Sequence, residues 1–154
     1  MKISKIDKVG LQLLEKYEGC KLKAYPDPAT GGLPITIGYG NTYYEDGTKV
    51  KLGDIITQER ADELIHNLLD HYEKGVDSIT IDTITQNQFN ALVSFAWNLG
   101  LANLKSSTLL RKVNQNPNDL SIGSEFSKWC KANNKVMAGL VARRSAEWDL
   151  FSKK

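Results

Sequence analysis

The chain has 154 residues, 41% of them hydrophobic and 25% charged, with a formal net charge of plus two. That length suits one domain with a substantial core, or two small units sharing a helix, and the ordinary composition excludes a disordered, low-complexity or repeat protein. Two cysteines, Cys20 and Cys130, are too few for a disulfide scaffold and read as separate, partly buried thiols, with a single bridge between them as the alternative.

The N-terminal stretch MKISKIDKVGLQLLEKYEG carries polar or charged residues throughout, so it offers neither the apolar run of a signal peptide nor a membrane span. Its apolar residues Ile6, Val9, Leu13, Leu14 and Tyr17 recur at helical intervals, which predicts a helix over 5–18. Asp7 or Ser4 can cap it and Gly19 can stop it. Glu18 then ends the helix, where the carbonyl-rich terminus disfavours another negative charge and favours a retained proton. Asp27 lies between Pro26 and Pro28, which stiffen the turn that holds it. Residues 35–39 alternate, with Ile35, Ile37 and Tyr39 on one side and Thr36 and Gly38 on the other. If the isoleucines enter a core, Thr36 faces outward. A protonated acid, an ionised acid and a hydroxyl that orients water suit hydrolysis of a glycosidic bond. A solvated helix end and a turn aspartate fit the same residues.

Between Lys21 and Asp54 the pattern is of short strands, with Glu45-Asp46-Gly47 turning Tyr43-Tyr44 back onto Thr48–Val50. So small a sheet must lean on helices. Thr57 can cap a long one-sided helix carrying Ala61, Leu64, Ile65, Leu68, Leu69, Tyr72 and Val76. His66 and His71 are five apart and fall on different faces of it, which argues against a metal site. Thr85 and Gln88 form a capping-box pattern ahead of Phe89, Leu92, Val93, Phe95, Ala96, Trp97 and Leu99, a helix apolar nearly all round. Further helices are expected over SSTLLRKVNQN, SIGSEFSKWCKAN and AGLVARRSAEWDLF. Arg143 and Arg144 in the last read, on residues alone, as a solvated helix face.

Charge is uneven: residues 1–56 sum to plus one, 57–104 to minus five and 105–154 to plus six. The basic C-terminal part favours an anionic polymer, but with no recognised nucleic-acid module and no interleaved aromatics, nucleic acid is not the expected partner.

The run EGCKLKAYPDPATGGLPITIGYGNT resembles the signature of the phage-type lysozymes, glycoside hydrolase family 24: a Glu, eight residues, an Asp, a short spacer and a Thr before a glycine-rich strand end. Glu18 and Asp27 keep the eight-residue gap; the spacer to Thr36 is also eight residues, longer than in many members, with the surplus in the turn ATGGLP. Asn41 stands where many members have His. TQNQFNALVSFAWNLG, SSTLLRKVN and GLVARRSAEWDLF also resemble family phrases, so the likeness covers nearly the whole chain.

The resemblance implies an α+β, mainly helical, lysozyme-like fold over 1–154. It has a small antiparallel sheet lobe at about 19–56, a connecting helix at about 57–76 and a helical lobe at about 77–154, with helix 5–18 packing near both. It implies hydrolysis of the β-1,4 bond between N-acetylmuramic acid and N-acetylglucosamine, with Glu18 as general acid, Asp27 and Thr36 serving the attacking water, and Tyr39, Trp97 and Asn98 touching sugar. Arg143 matches an arginine that pairs with the catalytic Glu. It implies peptidoglycan strands as the partner of a monomer, no cofactor or metal, and no stable membrane insertion. Synthesis would be cytoplasmic and action on the wall would follow release or export by another factor. A lytic transglycosylase and a non-catalytic peptidoglycan-binding module are the competing readings.

Overall fold

The computed structural model describes residues 3–26 and 30–153, so Asp27 lies outside the described residues. In chain order the elements are α1 (Lys8–Glu18), β1 (Lys21–Tyr25), β2 (Thr36–Gly38), α2 (Gln58–Ile79), α3 (Gln86–Leu99), α4 (Leu101–Ser106), α5 (Thr108–Gln115), α6 (Ile122–Ser127), β3 (Lys131–Ala132), β4 (Lys135–Val136) and α7 (Ala138–Phe151). The chain divides into two compact units, one of Met1–Leu14 with Tyr72–Lys154 and one of Glu15–His71, and it passes from one to the other within α1 and within α2. Among the described residues no helix is long and apolar enough to cross a membrane.

In the unit Glu15–His71, β1 and β2 pair antiparallel, with Lys21 opposite Gly38 and Tyr25 opposite Thr36 across an irregular register. Ala24, Ile37 and Val50 form its small core, flanked by Ile35, Tyr44 and Ile56. The turn at Glu45-Asp46-Gly47 closes through one bridge, Tyr43 to Lys49, and through the Tyr44 N–H donating to Thr48 O at 2.9 Å. Thr57 caps α2 by accepting from the Arg60 N–H at 3.1 Å. Ala61, Leu64, Ile65 and Leu69 then form its buried stripe. The helix runs on to Ile79, past the expected end at residue 76. His66 and His71 are exposed on it.

The other unit is built on α3, where the capping box of Thr85 and Gln88 forms in full and every residue from Gln88 to Ala96 is buried. Helix α3 packs along α7 and α4. Phe95 meets Phe126 edge-on at 6.0 Å and Trp129 at 5.5 Å, and Phe126 meets Phe151 at 5.6 Å. Each such pair adds about 0.5–1.5 kcal/mol beyond its burial.

Three expectations about elements are corrected. Helix α1 begins at Lys8, not residue 5, because the chain before it is pinned outside the helix: the Ile6 N–H donates to Glu73 Oε2 at 2.8 Å, and Asn90 Nδ2 donates to Asp7 Oδ1 at 2.7 Å. Asp7 is the cap, accepting from the Val9 N–H at 3.1 Å. Helix α4 was not anticipated, and the segment expected to be helical through Asn133 stops at Ser127. It gives way to the β3–β4 hairpin, in which Asn133 (φ 52°) and Asn134 (φ 63°) both adopt the left-handed conformation that a two-residue type I′ turn requires. Cys20 and Cys130 are free thiols, each half-buried.

Candidate active site

Glu18 is the last residue of α1 and is half-buried. The helix stops directly after it because Gly19 takes a φ of 68°, while its N–H still closes a bond to Glu15 O at 3.3 Å. Thr36 opens β2 in the same unit and pairs with Tyr25, two residues before Asp27. Contrary to expectation Thr36 does not face outward. It is 9% exposed, since Thr36, Ile37 and Gly38 are all buried and β2 is covered on both sides. Its hydroxyl donates to Pro34 O at 3.3 Å.

Tyr39 is also buried, and its hydroxyl sits in a polar network. It donates to Asp62 Oδ1 at 3.1 Å and accepts from Gln58 Nε2 at 2.9 Å, and the same amide donates to Asp62 Oδ1 at 2.9 Å. Burial foremost pushes the phenol above its ordinary range. The Glu15 carboxyl joins this group; burial, then its hydrogen bond to Asp62 and the repulsion between the two, raise its pKa. Burial likewise pushes the Cys20 thiol up. Thus residues flanking Glu18 and a residue following Thr36 meet at Gln58 and Asp62 on α2. Neither of those α2 residues stood out in the sequence, where they belong to the polar side of a one-sided helix.

Asn41 is 2% exposed and donates through Nδ2 to Leu64 O at 3.0 Å, so it ties the end of the β2 turn to α2. Its Oδ1 lies 3.3 Å from where a Cβ on Gly38 would be, and Gly38 has a φ of 66°.

In the unit built on α3, Trp97 and Asn98 come near the C-terminal end of that helix. Trp97 is half-buried against Tyr72, with ring centroids 5.3 Å apart. Asn98 Oδ1 accepts from Arg144 Nη2 at 2.8 Å. Arg143 and Arg144 are not a solvated face, being 4% and 1% exposed. Both are drawn inward by Glu147, which is fully buried: Arg143 Nε lies 3.4 Å from its Oε2 and Arg144 Nε 2.8 Å from its Oε1. Arg143 Nη2 also donates to Ser94 O at 3.2 Å. Burial pushes the Glu147 carboxyl up, opposed by the two guanidiniums and by the Ser94 hydroxyl. Among the described residues no three His, Cys, Asp or Glu side chains gather as a metal site.

The phage lysozyme family model matches residues 15–147. The chain belongs to the phage lysozyme family. It is 41% identical over 146 residues to the endolysin of Bacillus phage B103, covering 95% of this chain and 53% of that protein. The endolysin of Bacillus phage PZA gives a similar match, so this phage lysozyme chain spans about half the length of these two relatives. The endolysin of Salmonella phage P22 is 37% identical, with 92% of this chain and 94% of that one covered. Among solved structures, a mutant P22 lysozyme superposes with a TM-score of 0.86 at 34% identity, covering 97% of this chain and 99% of that chain. The muramidase domain of SpmX from Asticaccaulis excentricus gives 0.80 at 31%, with 97% and 99% covered. The mainly helical, lysozyme-like fold with small antiparallel sheets is therefore the family's fold.

Proposed function

We propose that this chain hydrolyses the β-1,4 bond between N-acetylmuramic acid and N-acetylglucosamine in peptidoglycan. The observation that carries the reading is the span of the family match, which includes Glu18, Asp27 and Thr36 in their motif. The placement of Glu18 at a helix end and Thr36 on the strand partnered by the approach to Asp27 supports it.

In this mechanism the Glu18 carboxyl gives its proton to the leaving glycosidic oxygen as the C–O bond breaks. Asp27, ionised, stabilises the positive charge developing on the sugar ring and takes a proton from the attacking water, which Thr36 helps to orient. The new C–O bond forms on the opposite face and configuration inverts, which requires the two carboxyls to stand about 6.5–9.5 Å apart so that the water fits. Tyr39, Trp97 and Asn98 are the proposed sugar contacts, and Arg143 the proposed supporting cation for Glu18. The protein would act as a monomer on glycan strands without a cofactor, reaching the wall from the cytoplasm by release or through another factor.

The test is digestion of purified peptidoglycan by wild type and Glu18→Gln, with released fragments weighed and reducing ends counted. Fragments carrying one added water, absent with the variant, are expected. Ring-closed fragments would make it a transglycosylase, and binding without fragments would make it a non-catalytic module.

A further inference from the structure

Arg144 is the largest fully buried side chain among the described residues, and burying a guanidinium demands partners that hold it in one place. Its Nη2 donates to Glu147 Oε2 at 3.2 Å and its Nε stands 2.8 Å from Oε1, a charge contact too oblique to be a hydrogen bond. Its guanidinium carbon lies 5.1 Å from the centre of the Phe95 ring, a cation–π distance. Glu147 is itself fixed by the Ser94 hydroxyl, which donates to Oε2 at 2.6 Å. A planar fork held by a carboxylate and a ring face has almost no rotational freedom, so the direction of its remaining bond is set. That bond runs from Nη2 to Asn98 Oδ1 at 2.8 Å.

The consequence falls on Asn98, which is partly exposed near the end of α3. A carboxamide free to turn offers either an acceptor or a donor to a ligand. With Oδ1 taken by a cation, flipping would set the amide N–H groups against Arg144, so Nδ2 is the end presented outward. We propose that Arg144 is a positioning residue that locks Asn98 as a hydrogen-bond donor to an acceptor oxygen of the N-acetylated glycan. The inference rests on the proposed glycan hydrolysis and deepens it, since it selects which end of Asn98 meets sugar.

The test is a double-mutant cycle on the 154-residue chain with Arg144→Lys and Asn98→Ala, reading KM and kcat on purified peptidoglycan. Lysine keeps the charge for Glu147 but lacks the fork that reaches Asn98. Arg144→Lys is expected to raise KM about five- to tenfold with kcat within about twofold, the size of one lost hydrogen bond. In the Asn98→Ala background the same substitution is expected to leave KM unchanged, because Arg144 would act only through Asn98. An equal rise in KM in both backgrounds, or no rise in either, overturns the proposal. Should Arg144→Lys fail to fold, the side-chain amide signal of Asn98 in the ¹⁵N-labelled wild type decides. It is expected to shift on adding tri-N-acetylchitotriose, and a signal that stays put while other residues respond overturns the proposal. Wild type that releases no fragments from peptidoglycan at all counts against the hydrolase reading instead, which separates the two failures.

Discussion

Ser94 on α3 donates its hydroxyl to Glu147 on α7 at 2.6 Å, with neither side chain exposed to solvent. This bond joins the two helices at the carboxylate that also holds Arg143 and Arg144, so Glu147 is the one negative charge among these three buried side chains. Replacing it by Gln removes the negative charge that Arg144 and Arg143 both approach, a change that costs about 3–5 kcal/mol when a buried pair is broken from one side. Ser94→Ala removes a neutral hydroxyl that donates to that carboxylate and accepts from Arg143 Nη2 at 3.4 Å, and is expected to cost about 1–3 kcal/mol. Urea unfolding of both variants checks the order; a Glu147→Gln loss smaller than that of Ser94→Ala would show that the cluster is not held by its charge.

Glu15 faces Asp62, Tyr39 and Cys20 in the other unit, and its carboxyl is raised above its ordinary range, first by burial. A carboxyl with a raised folded-state pKa binds its proton more tightly when folded, so its favourable contribution is complete below the unfolded pKa and is lost as pH rises through the folded one. Glu15→Gln mimics the protonated form at every pH. The variant is therefore expected to match wild type in acid and to melt at a higher temperature than wild type at neutral pH. Melting curves between about pH 3 and pH 8 test this. A variant less stable at neutral pH would mean that the ionised carboxylate is the stabilising form.

How far the sequence reveals all this depends on whether the signal is local. The capping box at Thr85 and Gln88, the Thr57 cap and the Gly19 stop are written within a few neighbouring residues, and each forms as expected. The hairpin at Asn133 and Asn134 is equally local, but it follows a run with helical spacing that hides where α6 ends. The burial of Thr36, by contrast, depends on what covers the second side of a three-residue strand, and alternation alone cannot show that. The inward turn of Arg143 and Arg144 depends on Glu147, one turn along the same helix, and on Ser94, about fifty residues away; the first pairing is local, but the burial of that face of α7 against α3 is not. Glu18, Asp27 and Thr36 stood out through resemblance to a family motif, not through any property of their immediate neighbours.

Gly123 lies on α6 where a Cβ would fall 2.7 Å from Cε2 of Trp148. That indole is stacked on Phe151 at 5.9 Å, so the obstacle is a packed ring and not the tip of a flexible chain. Gly123→Ala is expected to lose about 1–3 kcal/mol to overpacking, outweighing the roughly 1 kcal/mol that alanine gains from helix propensity. Gly139, on the first turn of α7, has nothing within 4 Å of the equivalent position. Gly139→Ala should therefore stabilise by about 0.4–1 kcal/mol. Opposite shifts of the two urea midpoints are the expected result, and shifts of the same sign would contradict the packing argument.

Thr36 offers the sharpest separation of chemistry from folding, because its nearly isosteric replacement by valine removes the hydroxyl and little else. Among the described residues the hydroxyl donates to Pro34 O at 3.3 Å, a long bond whose loss from a partly buried site costs about 1 kcal/mol. If that were its whole role, Thr36→Val would lower the melting temperature slightly and leave turnover alone. If Thr36 orients the attacking water, kcat on peptidoglycan should fall about a hundredfold or more, the scale on which positioned proton-transfer groups act, while KM stays within about twofold. Thr36→Ser restores a hydroxyl at the same backbone position and should recover most of the rate. A valine variant that turns over at the wild-type rate would remove Thr36 from the water's environment and leave Asp27 to position it alone.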